Sequence, residues 1–311
     1  MTTAAVAVDF GRELPLQAAA RSFRHHLKAE NRSPHTITTY LTSIDLFRRH
    51  LEDQGLPREV GSVRREHVEA FLIGLFEKGA KPATASTYYR GLRSFFGWLV
   101  KEEELLRSPL AGMSAPSVPE VAVPVVSDEE MKRLLASIER ERDFAARRDS
   151  AMIRTFVDSG LRLRELTNLL VEDVDFDAGT VRVRHGKGGR ERRAGVGDRT
   201  LRALDRYLRL RHGHPKAAEP WLWLGKSGHL GAGGAHQIVR RRGQQAGLPG
   251  LHAHLFRHTF AHQMKAAGAS VEDLMSLGGW RSPQVLARYG ASVASERAVA
   301  VHHRLSPGDR I

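Results

Sequence analysis

The sequence predicts a mainly α-helical protein of two domains, the second of which adds a small β-sheet. Apolar residues recur at three- and four-residue intervals through most of the 311 residues, which is the spacing of one helix face. Residues 111–126 contain three prolines and no such period, whereas residues 174–196 alternate apolar and basic side chains around glycines, as strands do. We therefore expect a tail at 1–13, a helical domain at 14–110, a linker at 111–126 and a second domain at 127–311.

The chain is strongly basic, with a formal net charge of +13 and a sequence pI near 10.5. Such an excess favours a polyanionic partner, most often nucleic acid, because binding releases counterions condensed on the phosphates. Charge that serves solubility alone is the alternative. The absence of cysteine excludes disulfides, thiolate metal sites and thiol nucleophiles. Neither a secretory leader nor a run long enough to span a bilayer is present, and we expect a cytoplasmic protein.

The N-terminal domain is expected to be all helical. Ser33-Pro34 is typical of a helix start, and a first helix is expected at about 33–55. A second helix is expected to end near Gly79, and a third is expected at about 83–107. The third helix carries basic and hydroxyl side chains on its predicted outer face, which suits contact with phosphates, although a plain solvated face explains them as well. These residues are Lys81, Thr84, Ser86, Thr87, Tyr88, Arg90 and Arg93.

The second domain begins with the pattern of a capping box at Ser127. A following helix is expected to end at Gly160. Just beyond it, Arg162 and Glu165 stand three residues apart, so on a helix the carboxylate would hold the guanidinium in one orientation. From this segment alone, an incidental surface ion pair is the simpler interpretation, because exposed pairs contribute little.

Two later segments suit contact with a nucleic-acid groove. The first is a basic hairpin that includes Arg184 and has Lys187 at its glycine-rich tip, and the second is a helix that includes Arg240 and Arg241. Only nine of the 48 basic residues are lysines, and an ammonium can give up a proton whereas a guanidinium cannot. A general acid and an ordinary surface lysine are equally good interpretations of Lys187. Between these segments, residues 221–224 predict a short buried strand.

The last part of the chain combines side chains that suit chemistry on an anion. His254 and Arg257 share one face of a helix, and Tyr289 follows beside a glycine. They offer a proton carrier, a fork of donors to phosphate oxygens and a possible nucleophile; a solvated helical hairpin is the plain alternative. A metal site at His254, His258 and His262 is conceivable, but no intervening glutamate or aspartate cluster accompanies them, and we expect no metal.

Five motifs together resemble the tyrosine recombinases of the phage integrase family. They are G-L-R-x-x-E-L from Gly160, the G-K-G hairpin at Lys187, H-x-x-R-H from His254, L-G-G-W ending at Trp280, and Tyr289 nine residues later. Their order and spacing make the set specific, although each motif alone is weak. The resemblance is close from residue 127 onward, and on pattern alone residues 14–110 resemble the family's helical core-binding domain. The two-domain Xer-like or Cre-like layout is the closer match.

The resemblance implies the roles of the site residues. The implied catalytic positions are Arg162, Lys187, His254, Arg257, Trp280 and Tyr289, with Tyr289 as nucleophile. Glu165 matches the acid that supports them. Trp280 stands where many members carry histidine, and an indole cannot transfer a proton, so it would act by packing and by one N–H donor.

The implied enzyme is a site-specific recombinase that cuts and rejoins DNA through a 3′-phosphotyrosine and a Holliday junction, with no cofactor. Its implied partners are double-stranded DNA with an inverted-repeat core site and three further copies of the chain. A helix at about 295–305 would dock in trans on a neighbouring copy, or else in cis. Two other interpretations stay open: a type IB topoisomerase-like enzyme that does not pair sites, and a DNA-binding module without activity.

Overall fold

The N-terminal part of the chain contains four α-helices in its described residues, from 14 onward. They are α1 Leu16–Ala29, α2 Pro34–Asp53, α3 Arg65–Glu77 and α4 Pro82–Lys101. Ser33 caps α2 by accepting a hydrogen bond from the Thr36 amide at 3.1 Å, which confirms the start predicted at Ser33-Pro34. The helices pack around buried aromatic side chains, among which Phe47 and Phe96 meet edge to face. The sequence patterns did not locate α1 within the region predicted to be helical.

The computed structural model describes residues 14–119, 123–184, 191–287 and 289, and five further positions: 299, 302, 303, 306 and 308. Its contacts divide the chain into two compact units, Met1–Glu120 and Val121–Ile311. Residues 113–119, in the stretch predicted as a linker, form neither helix nor strand. Within the described ranges, no helix is both long and apolar enough to cross a membrane.

The start of α4 presents most of the side chains predicted to face outward. Lys81, Thr84 and Arg90 are exposed, and Thr87 is half-buried. The prediction that Ser86 faces outward is wrong, since this residue is buried. Ser86 lies three residues before the fully buried Tyr89, so it shares the inward side of the helix.

The second unit contains eight helices and five short strands among its described residues. Its helices are α5 Asp128–Glu139, α6 Phe144–Ser159, α7 Leu163–Thr167, α8 Asp198–His212, α9 Ala232–Gln245, α10 Ala253–Ala266, α11 Val271–Gly278 and α12 Pro283–Ala287. The strands are β1 Val174–Asp175, β2 Thr180–Val183, β3 Arg192–Gly195, β4 Leu224–Gly225 and β5 Gly228–His229. Ser127 forms the predicted capping box of α5, and Gly160 ends α6 with φ of 58°. The mainly helical fold with a small sheet is confirmed.

The antiparallel sheet β1-β2-β3 fixes which of its arginines face inward. Val183 pairs with Arg192, and Val181 pairs with Ala194. Directly paired residues share one face of a sheet, and both valines are buried. Arg192 therefore lies on the inner face of β3, two residues from buried Ala194, while Arg193 points outward.

The strand predicted at residues 221–224 is largely wrong, although its burial is confirmed. Only Leu224 belongs to a strand, and Trp221 makes a single bridge to Leu170. Side chains bind the backbone here instead: the Tyr207 hydroxyl donates to the Leu222 carbonyl at 3.0 Å. The indole of the fully buried Trp223 donates to the Leu166 carbonyl at 2.9 Å.

A second, smaller apolar cluster joins α10, α11 and α12. Its buried members are Phe260, Ala261, Leu274, Trp280, Leu286 and Tyr289. This cluster places Trp280 and Tyr289 against α10, where the histidines and arginine of the H-x-x-R-H motif lie.

Candidate active site

Arg257, on α10, is the most deeply buried cation of this region, with 2% of its surface exposed. Its Nη1 donates to the Gly160 carbonyl at 2.6 Å, and its guanidinium lies 3.7 Å from the centre of the Trp280 ring. Its Nη2 is buried and has no hydrogen-bond partner among the described residues. A buried donor without a partner is costly, so this atom is placed to bind an acceptor that enters from outside.

The charge of Arg257 survives its burial. Burial, followed by the neighbouring Arg162, lowers the pKa of Arg257 to about 9. The guanidinium is therefore still protonated at pH 7, and a second guanidinium lies near enough to repel it. An anion bound between the two groups would relieve that repulsion.

Glu165 organises the second guanidinium. Its carboxylate accepts from Arg162 Nη1 at 2.8 Å and from the Arg162 amide at 2.9 Å. Arg192 adds two further bonds, at 3.1 and 2.8 Å. Burial alone would raise the pKa of Glu165, but the hydrogen bonds from Arg192 and Arg162 outweigh it and hold the pKa below its ordinary value. Because Glu165 is 9% exposed, the interpretation of this pair as an incidental surface ion pair is wrong.

Arg162 and Arg192 also hold the L-G-G-W segment. Arg162 Nη2 donates to the Gly279 carbonyl at 3.1 Å, and Arg192 Nε donates to the Leu277 carbonyl at 3.0 Å. Gly279 has φ of 65°, a conformation that favours glycine, and ends α11. The two arginines thus fix the turn from which Trp280 reaches Arg257.

Tyr289 contacts both Trp280 and His258 in this group of side chains. It is buried, with 5% of its surface exposed, and its ring meets that of Trp280 edge to face at 6.1 Å. Its hydroxyl oxygen lies 2.7 Å from Nδ1 of His258. Next to them, His254 is exposed, and its ring contacts that of His258 at 4.4 Å between centroids.

The structure thus brings six of the predicted positions into one group: Arg162, Glu165, His254, Arg257, Trp280 and Tyr289. Lys187 lies outside the described residues. In the parts of the chain that are described, no group of three or more histidines or acidic residues could hold a metal ion. The Nδ1 atom of His258 is taken by the Tyr289 hydroxyl, so the donor set fits an anion better than a cation.

The three DNA-contact candidates of the second unit differ in their surroundings. Arg184 pairs with the buried Asp173 at 2.7 Å, and Arg241 pairs with the buried Asp149 at 3.2 Å. Arg240 is exposed on α9. DNA contact by any of them stays a prediction, and the two acids already restrain Arg184 and Arg241.

Two members of the group were not predicted. Arg192 could have been recognised from the sequence, because side chains alternate along a strand and Arg192 therefore lies on the opposite face from Arg193. His258 belongs to the H-x-x-R-H motif, but only the fold brings it to a tyrosine 31 residues away.

Known proteins share this architecture. The profile of the phage integrase family matches residues 124–296, and that of the phage integrase N-terminal SAM-like domain matches residues 20–104. The tyrosine recombinase XerC of Azotobacter vinelandii is 32% identical over 270 residues, which cover 85% of this chain and 88% of that protein. XerC of Syntrophus aciditrophicus is 29% identical over 305 residues, covering 93% and 97%.

Three solved structures show the same fold at low sequence identity. The Tn1549 transposon integrase in complex with transposon right end DNA has a TM-score of 0.77 at 17% identity, covering 94% of this chain and all of that one. XerH bound to a palindromic difH substrate has a TM-score of 0.72 at 20% identity, covering 88% and 81%. A λ integrase tetramer bound to a Holliday junction has a TM-score of 0.67 at 16% identity, covering 88% and 80%.

Proposed function

Because this chain belongs to the phage integrase family of tyrosine recombinases, we propose that it cuts and rejoins duplex DNA at a specific site, with Tyr289 as nucleophile. The observation that carries the proposal is the buried Nη2 of Arg257, which has no hydrogen-bond partner in the described ranges and lies in the same group of side chains as the Tyr289 hydroxyl. A phosphodiester oxygen would satisfy this donor and stand beside a group that can attack the phosphorus.

The chemistry follows from where charge develops. Attack by the phenol oxygen gathers negative charge on the non-bridging phosphate oxygens, and fixed donors stabilise that charge most because they need no reorganisation. Arg162 and Arg257 are such donors, one held by Glu165 and the other by Gly160 and Trp280. His254, on the exposed side, would bind the same oxygens.

The identity of the leaving group determines which DNA end becomes joined to the protein. We propose that the 3′-phosphate becomes joined to Tyr289 and that Lys187 protonates the departing 5′-oxygen. Trp280 contributes an N–H donor and the ring beneath Arg257, but it transfers no proton. Because the energy of the broken bond is retained in the phosphotyrosine link, rejoining needs neither ATP nor metal.

The proposed substrate is double-stranded DNA with an inverted-repeat core site, bound by four copies of the chain on two sites through a Holliday junction. The palindromic substrate of XerH and the junction-bound tetramer of λ integrase support this proposal. We further propose that the exposed side of α4, with Lys81, Thr84 and Arg90, contacts the DNA backbone, which accords with the net charge of +13.

The experiment starts from a pool of duplexes with random sequence, because the target is unknown. The Tyr289→Phe variant, which should bind DNA without cutting it, selects the preferred sequence. Wild-type protein then acts on that sequence carrying a nick a few nucleotides downstream of the cut, so that the short fragment bearing the new 5′-hydroxyl diffuses away. We expect a covalent protein–DNA product with the protein on the 3′ side, and a 5′-hydroxyl on the freed fragment.

Other results have definite meanings. No covalent product from wild-type protein on the selected DNA would refute an enzymatic role and leave a binding module. Relaxation of supercoiled DNA that lacks the selected site, with no exchange between two sites, would replace recombination by topoisomerase activity.

A further inference from the structure

His258 has no part in the chemistry proposed so far, yet its ring touches the atom that would attack. Its Nδ1 lies 2.7 Å from the hydroxyl oxygen of Tyr289. We propose that His258 is the general base that accepts the phenolic proton when Tyr289 attacks the phosphate and returns that proton when the strand is rejoined. This inference rests on the proposed function, because it requires Tyr289 to be the nucleophile.

Packing and hydrogen bonds hold the contact between His258 and Tyr289 in place. Tyr289 is 5% exposed and its ring lies 5.2 Å from that of His258. The Tyr289 amide donates to the Leu286 carbonyl at 3.1 Å, and Lys265 of α10 donates to the same carbonyl at 3.1 Å. The helix that carries the histidine therefore also anchors the turn that carries the tyrosine, which keeps the proton-transfer distance short.

His258 is in the correct protonation state to accept a proton. Burial first, and then the neighbouring His254, His252 and Arg257, lower the pKa of His258 to about 4. Of the residues that the structure describes, the titratable groups that act on it are these three, on α10 or at its N-cap, and Tyr289 from beyond α12. At pH 7 the imidazole is neutral, so one of its nitrogens is a free acceptor for the phenolic hydrogen.

DNA binding would strengthen this base at the moment it is needed. A phosphodiester brings negative charge to Arg162 and Arg257. Burial is the main cause of the low pKa of His258, and the positive charge of Arg257 adds a smaller part; the bound anion would offset that part. The imidazole is thus kept uncharged in the free protein and becomes more basic beside the bound phosphate.

The carboxylate of the site is a poorer candidate. Glu165 already accepts four hydrogen bonds from Arg162 and Arg192. Those bonds favour its charged form, and its pKa is held below the ordinary value. Protonation of Glu165 would break the support of Arg162 just when Arg162 must bind the phosphate.

The proton and electron balance of the step is complete. The bond between Tyr289 Oη and phosphorus forms, and the phenolic proton moves to His258. The bond between phosphorus and the 5′-oxygen breaks with its electron pair on that oxygen, which takes a proton from the general acid assigned to Lys187. Rejoining runs the same transfers in reverse.

The test compares two replacements of His258 in the full-length protein on the nicked substrate, under single-turnover conditions. His258→Asn retains an oxygen that can accept the tyrosine hydrogen bond but has no useful basicity, whereas His258→Ala removes both. His262→Ala, one turn further along α10, is the matched control. Binding of the selected DNA and the melting temperature are measured for each variant.

A general base predicts that both variants lose about 10²- to 10⁴-fold in the rate of covalent product formation, while the control and DNA affinity are unchanged. The residual rate of the variants should rise about tenfold per pH unit, because hydroxide then replaces the base. Added imidazole should restore part of the rate of His258→Ala.

A wild-type rate in His258→Asn would overturn the proposal, since acceptance of a hydrogen bond would then suffice. An unchanged rate in His258→Ala would also overturn it. Neither result would touch the proposed function, which fails only if the wild-type protein forms no covalent product through Tyr289.

Discussion

Replacing Glu165 with glutamine nearly preserves the shape of the side chain but removes the charge on which the site is built. The carboxylate accepts four hydrogen bonds from two arginines, at 2.8 to 3.1 Å. A glutamine offers one oxygen and turns an NH₂ group toward the remaining donors. About two charge-assisted bonds are lost, each worth about 1.5–3 kcal/mol, and the side chain of Arg192, 12% exposed, loses its counter-ion.

We therefore expect Glu165→Gln to lower the free energy of unfolding of the second unit by about 3–5 kcal/mol. For a unit of this size, that corresponds to a fall in melting temperature of about 6–20 °C. The rate of covalent product formation should fall by about a hundredfold, since a displacement of Arg162 by about 1 Å suffices for such a loss.

The pH dependence of the stability loss follows from the lowered pKa of Glu165. A carboxyl whose pKa is lower in the folded state stabilises the fold fully above its ordinary pKa of 4.5, and this contribution is lost as the pH falls through the folded-state value. The difference in unfolding free energy between wild type and variant should thus be full at pH 7 and shrink below about pH 4.5.

Denaturant unfolding and the nicked-substrate assay together test this prediction. Glu139→Gln is the matched control, because Glu139 accepts two bonds from Arg154 in a similar ion pair outside the candidate active site. Equal effects of the two substitutions on the cleavage rate would refute the idea that Glu165 orients Arg162.

Four further predictions concern other parts of the chain. Lys187→Ala should cut ordinary DNA slowly and recover on a substrate with a bridging 5′-thiolate; no recovery would assign this lysine a structural role. Truncation after Val293 should leave single-site binding intact in gel shifts but weaken tetramer assembly, and unchanged assembly would exclude docking in trans. Gly160→Ala should destabilise the fold more than Gly247→Ala, because a Cβ at Gly160 would lie 2.3 Å from a phenylalanine ring whereas Gly247 has open space; equal melting temperatures would contradict this. Arg90→Ala should reduce the slope of log affinity against log salt by about one, and an unchanged slope would remove α4 from the interface.

Local features of the fold were predictable because local residues determine them. Ser33, Ser127 and Ser270 cap their helices by accepting hydrogen bonds from backbone amides three residues later, so spacing alone reveals them. The strand predicted at residues 221–224 failed for a tertiary reason. The carbonyls of Leu222 and Trp221 accept from the side chains of Tyr207 and Arg211, and only Leu224 pairs with a neighbouring strand.

Most members of the candidate site were predictable from the sequence, but Arg192, His258 and the contacts between the members were not. The motif spacing identified Arg162, Arg257 and Tyr289, since each motif is local. The spacing of Arg162 and Glu165 is the same in a surface pair and a buried one, so burial had to come from the fold. His258 and Tyr289 are joined only by the packing of α12 on α10, which no local pattern encodes.

The most direct measurement is a structure of the Tyr289→Phe variant bound to its selected DNA, in which the distances from the arginine donors to the phosphate at the cut are read. We expect the Nη2 atom of Arg257 and a nitrogen of Arg162 each within about 3 Å of a non-bridging oxygen of that phosphate, with the ring of residue 289 on the side opposite the 5′-oxygen. A phosphate bound elsewhere, with Arg257 Nη2 still lacking an acceptor, would contradict the proposal that this group of side chains is the site of strand cleavage.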